Sequence, residues 1–270
     1  MARTDILRIG EYHSLAAAPL YHALKRAAGP EHWVFIPGGP TELDHALERD
    51  QLDLTLASPL LAAGAPLDYL VLPGLGYGAK RHARDMLLFS DMLLDDMDEM
   101  TISLPGPTTA AAMLQLLTNR YLQFQNQFIM GWGNAEAFLL AGDAALRERL
   151  LARYAYVYDL GDLWRHYTGQ AMIYSLWMLK KETWRRKKSP IVAFERALRL
   201  AIAGAAADFK AVAASLAGYE WIKPAAMTQL WGQINFELLP AHYDGLDRFF
   251  EECAEGGLIE EPPELEYAEV

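Results

Sequence analysis

Small hydroxyl side chains stand in this sequence where predicted strands end and predicted helices begin. Thr108 and Thr109 follow Pro105-Gly-Pro107, directly after a predicted strand at 100–104. The first turn of a helix presents N–H groups without acceptors in the helix, and its dipole adds positive charge, so an anion binds there. Each threonine is open to two interpretations, contact with a substrate carboxylate or capping of its own helix. Further hydroxyls at strand ends belong to Ser14, Thr41 and Ser58.

Cationic and imidazole side chains form a second group with usable chemistry. Arg81 and Arg84 flank His82 in the run Lys80-Arg-His-Ala-Arg84. In an acidic chain, these arginines either pair with an anionic substrate or form a solvated loop. His13 follows the first predicted strand and is the candidate for proton transfer near neutral pH. We find no metal-ligand spacing in the sequence and predict neither a metal nor a cofactor.

The central stretch predicts two helices with identifiable ends. An apolar run at 137–140 stops at Gly142-Asp143, and a strongly helical segment follows at 144–154. Asp143 is predicted as the N-cap of that helix, with contact to substrate as the alternative. Asp159 is predicted to start the next helix, which Thr168-Gly169 ends.

The elements that must position these residues alternate between strand and helix. Strands at 6–9, 33–36 and 52–57 are separated by a helix at 17–27 and by a helix that Thr41 is predicted to cap. Short links in this order predict parallel strands joined by right-handed crossovers, in an α/β fold. Ligand sites of such sheets lie at the carboxyl ends of the strands. Later segments are predicted as strands at 69–72 and 86–89, a loop at 73–84, and helices at 211–216, 225–238 and 242–255.

Composition excludes several classes of function. The 270 residues carry a formal net charge of −11, which argues against nucleic acid as a partner. A single cysteine, Cys253, excludes an intrachain disulfide and a Cys-based zinc site. The first residues lack the apolar run of a secretory signal, and charges interrupt the longest apolar stretch, so we expect no membrane association. The basic run at 180–188 is either solvated surface or a contact in a homodimer.

Several motifs resemble one enzyme family. The central segments LLAGDAAL, YDLGDLWRHYTG and IYSLWMLKK, beginning at Leu139, Tyr158 and Ile173, are similar to those of the futalosine-pathway enzymes of menaquinone biosynthesis, and most similar to chorismate dehydratase. The resemblance extends through Arg8-Ile-Gly10, LDLTLASP at 52–59 and GLDRFFEECAEGGLI near the end. It covers some 250 positions, with the central block the most distinctive. The segment Pro105-Gly-Pro-Thr-Thr-Ala110 also resembles the PG-x-x-TTA signature of dihydroxynaphthoate synthase, the sister enzyme.

The resemblance implies a two-lobed, type II periplasmic-binding-protein-like fold, with central mixed sheets flanked by helices. Residues 1–89 and 175–270 would form the first lobe and 90–174 the second, with hinge strands near 86–90 and 171–176. It also implies a cytoplasmic hydro-lyase that binds chorismate, a small anionic metabolite, without a cofactor. The alternatives are a non-catalytic protein that binds a small carboxylate and an enzyme like the sister synthase.

Two departures from the family pattern concern the site. Ala16 stands where the dehydratases have an asparagine that contacts substrate, and a serine-rich loop is replaced by residues 76–86 with their cations. Losing a hydrogen bond to a charged group costs about 1.5–3 kcal/mol. Gly142-Asp143 follows the dehydratase pattern and lacks the histidine that the sister synthase has here, which favours the dehydratase.

Overall fold

The computed structural model describes residues 6–27, 32–65, 67–79 and 81–270. They form two compact units, Met1–Tyr77 with Ser175–Gly232 and Pro263–Val270, and Gly78–Tyr174 with Gln233–Pro262. The sequence-based division placed residues 233–262 in the first lobe, whereas here they pack with the second unit. The assignment of two hinged lobes stays a prediction.

The first unit is built on strands that run between flanking helices. Strands β4, β10, β3, β1 and β2 are neighbours in that order. β1 is parallel to β2 and β3, which confirms the predicted arrangement of the first three strands, and β10 is antiparallel to β3. The elements of this part of the chain are β1 Leu7–Tyr12, α1 Ala18–Ala27, β2 Trp33–Gly38, α2 Pro40–Glu48, β3 Leu54–Ala57, α3 Pro59–Gly64, β4 Tyr69–Ala79, β10 Met172–Lys180, α7 Lys181–Ala207, α8 Phe209–Ser215 and α9 Pro224–Trp231.

The second unit contains a five-stranded mixed sheet in the order β7-β6-β8-β5-β9. β6 is parallel to β7 and β8, while β5 is antiparallel to both β8 and β9. Its elements are β5 Met86–Ser90, β6 Thr101–Leu104, α4 Thr109–Leu116 continued by a π-helical turn Leu117–Leu122, β7 Gln127–Met130, β8 Ala137–Ala141, α5 Gly142–Leu151, β9 Tyr156–Asp159, α6 Leu160–Thr168, β11 Ile234–Glu237 and α10 Pro240–Glu255.

Buried aromatic side chains form the core of each unit. In the first, the Trp177 ring of β10 lies 5.3 Å from that of Phe194 and 6.2 Å from that of Tyr21. In the second, the Trp164 ring of α6 packs edge-on against Phe249 of α10 at 6.0 Å. Edge-to-face pairs of this kind stabilise a core beyond the area they bury. These buried side chains hold the helices against the sheets. The ends of the strands therefore have fixed positions.

Two predicted elements differ from the structure. The loop predicted at 73–84 is wrong in its first half, because β4 continues through Pro73 to Ala79 with mostly buried residues. The helix predicted at 225–238 ends at Trp231 and is followed by strand β11. In both segments, pairing with a neighbouring strand determines the backbone conformation, and the local sequence does not reveal that pairing.

None of the helices in the described part of the chain has the length and apolar character needed to cross a membrane.

Candidate functional site

One edge of the second sheet gathers several of the predicted site residues. β6 and β8 run parallel, so their last residues, Leu104 and Ala141, lie at the same edge. The antiparallel β5 begins there, because Met86 pairs with Ala141. β9 ends there, because Asp159 pairs with Leu87. We call this edge, with the helix starts and loop that adjoin it, the second-unit sheet end.

Thr108 and Thr109 begin α4 at the second-unit sheet end. The Thr108 Oγ1 accepts a hydrogen bond from the Ala111 amide at 3.2 Å, so this threonine is the N-cap, one of its two predicted interpretations. Thr109 is 4% exposed, and its Oγ1 donates to the Tyr174 carbonyl oxygen at 3.0 Å. The Thr109 hydroxyl proton is therefore committed to the main chain. What this helix start offers an anion is its backbone amides and dipole.

Asp143 is not the N-cap of α5, so that prediction is wrong. The cap position belongs to Ala141, and Gly142 takes the left-handed conformation with φ of 61°. Asp143 therefore lies inside the first turn, where its carboxylate stabilises the helix through the dipole. The Gly142 amide donates to the Asp85 carbonyl oxygen at 2.7 Å, which fixes the start of α5 beside the start of β5.

Asp159 is the N-cap of α6, as the sequence predicted, and it also binds a loop distant in sequence. Its Oδ1 accepts from the amides of Gly161 and Asp162, at 2.9 and 3.2 Å. The amides of Ala83 and Arg84 donate to its two oxygens at 2.9 and 2.8 Å. This single carboxylate therefore joins residues 83–84 to the start of α6. Gly169, with φ of 74°, ends that helix, also as predicted.

The loop at 81–84 lies against the first turn of α6. His82 Nδ1 is 2.7 Å from the nearer Asp162 oxygen, and Arg81 Nε is 3.5 Å from Asp162 Oδ1. A Cβ on Gly161 would lie 2.4 Å from the Arg81 carbonyl oxygen, so only glycine permits this approach. Lys80, the third cation of the predicted basic group, lies outside the described residues.

Arg84 occupies a strained position at the second-unit sheet end. Its φ of 64° is in the left-handed region, which costs a residue with a side chain on the order of 1 kcal/mol. Its Nε is buried and has no hydrogen-bond partner among the residues that the structure describes. A buried guanidinium N–H without an acceptor is a donor that a bound anion would satisfy.

One ligand atom from each of His82, Asp159 and Asp162 lies within 4.8 Å of the others, a spacing that would suit a metal ion. Both oxygens of Asp159 already accept backbone N–H groups, and Arg81 adds a positive charge beside Asp162. The three side chains therefore act as a hydrogen-bonded clamp on the 81–84 loop, an arrangement that disfavours a cation.

In the first unit, His13 and Ser14 follow the carboxyl end of β1. His13 is exposed, and its amide donates to the Gly38 carbonyl oxygen at 3.2 Å. Ser14 is 2% exposed, and its Oγ accepts from the Ala17 amide at 3.4 Å. The serine thus stabilises the turn that leads into α1, and the histidine side chain is the more accessible of the two.

Thr41 was predicted as an N-cap, and this is wrong by two positions. Gly39 is the N-cap of α2 and Pro40 occupies the first helical position, so Thr41 is in the first turn. Glu42 Oε2 accepts from the Gly39 amide at 2.9 Å. Proline favours the first helical position, and Pro40 was therefore the signal that marked Gly39 as the cap.

The carboxyl ends of the parallel strands β1, β2 and β3 lie at one edge of the first sheet, which we call the first-unit sheet end. Ser58 follows β3 at this edge. Its Oγ accepts from the Leu60 amide at 3.3 Å and so caps α3. Its own amide donates to Asp44 Oδ1 at 3.1 Å. Sequence reasoning missed Asp44, although it neighbours Leu43 on the predicted apolar face of α2. A carboxylate next to the apolar face of a helix was the feature of the sequence that could have identified Asp44 as a buried acid.

Asp44 has the electrostatics of a group that exchanges protons near neutral pH. Burial raises the pKa of Asp44 to about 6; the Ser58 amide opposes this shift and Glu48 adds to it. Perturbed carboxylates of this kind cluster at functional sites. The first-unit sheet end therefore holds Ser14, Thr41, Ser58 and His13 together with Asp44.

Comparison with known proteins identifies the family. Residues 7–255 match the menaquinone biosynthesis family. This chain belongs to that family. The match includes the three central segments that carry the sequence resemblance, and it confirms that resemblance at the level of the family.

Solved structures confirm the predicted fold. AF1704 from Archaeoglobus fulgidus superposes with a TM-score of 0.75 at 14% identity, covering 96% of this chain and 100% of that one. CA3427 of Candida albicans, described as having the generic periplasmic binding protein fold, gives 0.66 at 11% identity, covering 95% and 91%. The periplasmic aliphatic sulphonate binding protein SsuA from Escherichia coli gives 0.63 at 17% identity, covering 98% and 94%. This member of the menaquinone family has the periplasmic-binding-protein-like fold.

Proposed function

We propose that this chain is a hydro-lyase that converts chorismate to 3-(1-carboxyvinyloxy)benzoate in the futalosine route to menaquinone. The observation that carries the proposal is the family match across residues 7–255. The specific step rests on the likeness of LLAGDAAL and YDLGDLWRHYTG to the chorismate dehydratase motifs. The same likeness supports a cytoplasmic enzyme that uses no metal or cofactor.

The substrate carries carboxylates, and the second-unit sheet end has groups that suit one. The first turn of α4, capped by Thr108, presents backbone N–H groups and the positive end of the helix dipole. The start of α5 at Gly142 lies at the same sheet edge, and Arg84 adds a permanent positive charge with a buried, unsatisfied N–H. We assign carboxylate binding to these groups, with Asp143 and Thr109 shaping the two helix starts.

Loss of water from chorismate needs a group that accepts a proton from a ring carbon. The C–H electron pair forms the new ring double bond, the C–O bond breaks, and the departing hydroxide takes up a proton to become water. We assign the proton acceptor at the first-unit sheet end to Asp44, because its raised pKa makes the carboxylate more basic than an ordinary aspartate. This replaces His13, whose side chain is exposed.

The remaining hydroxyls of the first-unit sheet end have supporting roles. Ser58 Oγ accepts from the Leu60 amide and so holds the start of α3 at this edge. Ser14 Oγ likewise accepts from the Ala17 amide. Ala16, in the place of the family asparagine, has no polar side-chain atom, so we expect Ser14 and Thr41 to supply the contacts that the asparagine supplies elsewhere.

The experiment that tests the proposal follows chorismate with the purified full-length protein by mass spectrometry. We expect the benzoate product to accumulate, and the Asp44→Asn variant to bind chorismate while turning it over at least 100-fold more slowly, as for loss of a general base. Exposed Asp68→Asn is the matched control and should keep wild-type turnover. Equal turnover by wild type and Asp44→Asn would remove Asp44 from the reaction and leave the hydro-lyase assignment intact.

A non-catalytic carboxylate-binding protein is the second candidate. The observation that favours it is the structural similarity to SsuA, a binding protein for aliphatic sulphonates, which are also small anions. This candidate predicts that chorismate raises the melting temperature by mass action and is recovered unchanged. Product formation under the same conditions would exclude it.

A further inference from the structure

A cavity of about 800 Å³ lies within the second unit, along one side of α6. Its walls come from α6, from the start of α10, from Ala171 and from Arg81. Cavities of roughly 300–1,000 Å³ are the usual size for small-molecule sites. Neither Thr108 nor Asp143 is among the residues that line it, so it is distinct from the helix starts assigned to substrate.

Two arginines give this cavity a positive lining in a protein of net charge −11. Arg165 donates one N–H to the Gly169 carbonyl oxygen, and its guanidinium has further donors. The Arg81 Nε lies 3.5 Å from Asp162 Oδ1, beyond good hydrogen-bond distance. Both side chains are exposed, and His166 also lines the cavity. The two guanidiniums therefore retain the donors with which arginine binds a carboxylate in two-point fashion.

The start of α10 adds to this positive character. Leu239 occupies the N-cap position, and its side chain has no oxygen that could cap the amides of the first turn. The Leu239 amide donates a hydrogen bond to His242 Nδ1 at 3.0 Å, so Nδ1 is the acceptor nitrogen of this ring. Ala241, in the first turn of this 16-residue helix, lines the cavity. An anion there meets the positive end of a long helix dipole.

The other walls are apolar and define the rest of the ligand. Leu163, Ala171 and Leu239 line the cavity beside the arginines. Asp162 is the one acidic residue among those that line the cavity, and its negative charge disfavours a dianion such as phosphate. A single carboxylate on a compact apolar or aromatic body fits this combination.

We infer that this cavity is a second binding site, specific for a small monocarboxylate with an apolar body, and that Arg165 and Arg81 hold the carboxylate. The residues that line the cavity do not include the groups assigned to the reaction, although Arg81 belongs to the same loop as Arg84.

The test uses benzoate as the probe and isothermal titration of the full-length protein. We expect saturable binding that weakens at high salt, and a five- to tenfold loss of affinity in Arg165→Ala, an exposed member of an anion site. Ala241→Trp should abolish binding by filling the cavity without changing charge. Exposed Arg149→Ala on α5 is the matched control and should bind benzoate as the wild type does.

Two further measurements separate this site from the substrate site. Thr108→Ala should leave benzoate affinity unchanged, and Arg165→Ala should turn over chorismate at the wild-type rate if the protein is a hydro-lyase. Inorganic phosphate should bind more weakly than benzoate. Benzoate binding that is equal in wild type, Arg165→Ala and Ala241→Trp, or binding lost in Thr108→Ala, would overturn the inference whatever the outcome with chorismate.

Discussion

Replacing Asp44 by asparagine should stabilise the protein at neutral pH. Burial raises the pKa of this carboxyl from 3.8 to about 6, so the folded protein binds the proton more tightly than the unfolded chain. The stability that this group contributes is therefore complete below about pH 4 and is lost as the pH rises through about 6. A shift of about two pH units corresponds to about 3 kcal/mol, which is the most that the charged carboxylate can cost.

Asparagine keeps a side-chain oxygen that can accept from the Ser58 amide, 3.1 Å from the carboxylate in the wild type. The variant should therefore match the wild type near pH 4 and exceed its free energy of unfolding by up to about 3 kcal/mol at pH 8. Urea unfolding at intervals between these pH values measures the difference, with exposed Asp68→Asn as the control. A difference that does not change with pH would refute the argument that burial makes this charge costly.

Three other changes test the second unit. Trp164→Ala should lower the free energy of unfolding by about 3–5 kcal/mol, because the ring is fully buried against Phe249; urea unfolding measures this loss. Thr108→Ala should cost about 1 kcal/mol through loss of the cap on α4, whereas Thr108→Ser should retain it. Gly161→Ala should displace the loop at 81–84, because its Cβ would lie 2.4 Å from the Arg81 carbonyl oxygen, and faster amide exchange in that loop would show the displacement. An unchanged free energy of unfolding in Trp164→Ala or Thr108→Ala, or unchanged amide exchange in Gly161→Ala, would contradict the argument made for that residue.

Local patterns were sufficient to predict the first half of the fold. Short apolar runs separated by amphipathic helices predicted parallel β1, β2 and β3, and the structure has that pairing. Asp159 before α6 and Gly169 after it predicted both ends of that helix. These signals work because capping and periodicity depend on residues within one or two turns.

Cap positions were less predictable where backbone conformation decided them. Gly142 adopts a left-handed φ that moves the cap of α5 to Ala141, and Pro40 moves the cap of α2 to Gly39. Asp143 and Thr41 have suitable side chains but lie inside the first turn. Residue type alone therefore identified the right helix starts and the wrong capping residues.

The groups that most define the candidate site depend on distant parts of the chain. Asp159 binds the amides of Ala83 and Arg84, which precede it by more than seventy positions. Burial raises the pKa of Asp44 against the opposing hydrogen bond from the Ser58 amide, which is fourteen positions away in sequence. No local pattern reports such contacts, and they became visible only when the folded neighbourhood of each carboxylate was known.

The measurement that tests the central claim most directly is the fate of chorismate mixed with an equal amount of the full-length protein. The account predicts that mass spectrometry will find chorismate depleted and a species lighter by one water, the carboxyvinyloxybenzoate, formed in matching quantity. Chorismate that is bound by the protein and recovered intact would contradict the claim that this member of the menaquinone family is a hydro-lyase.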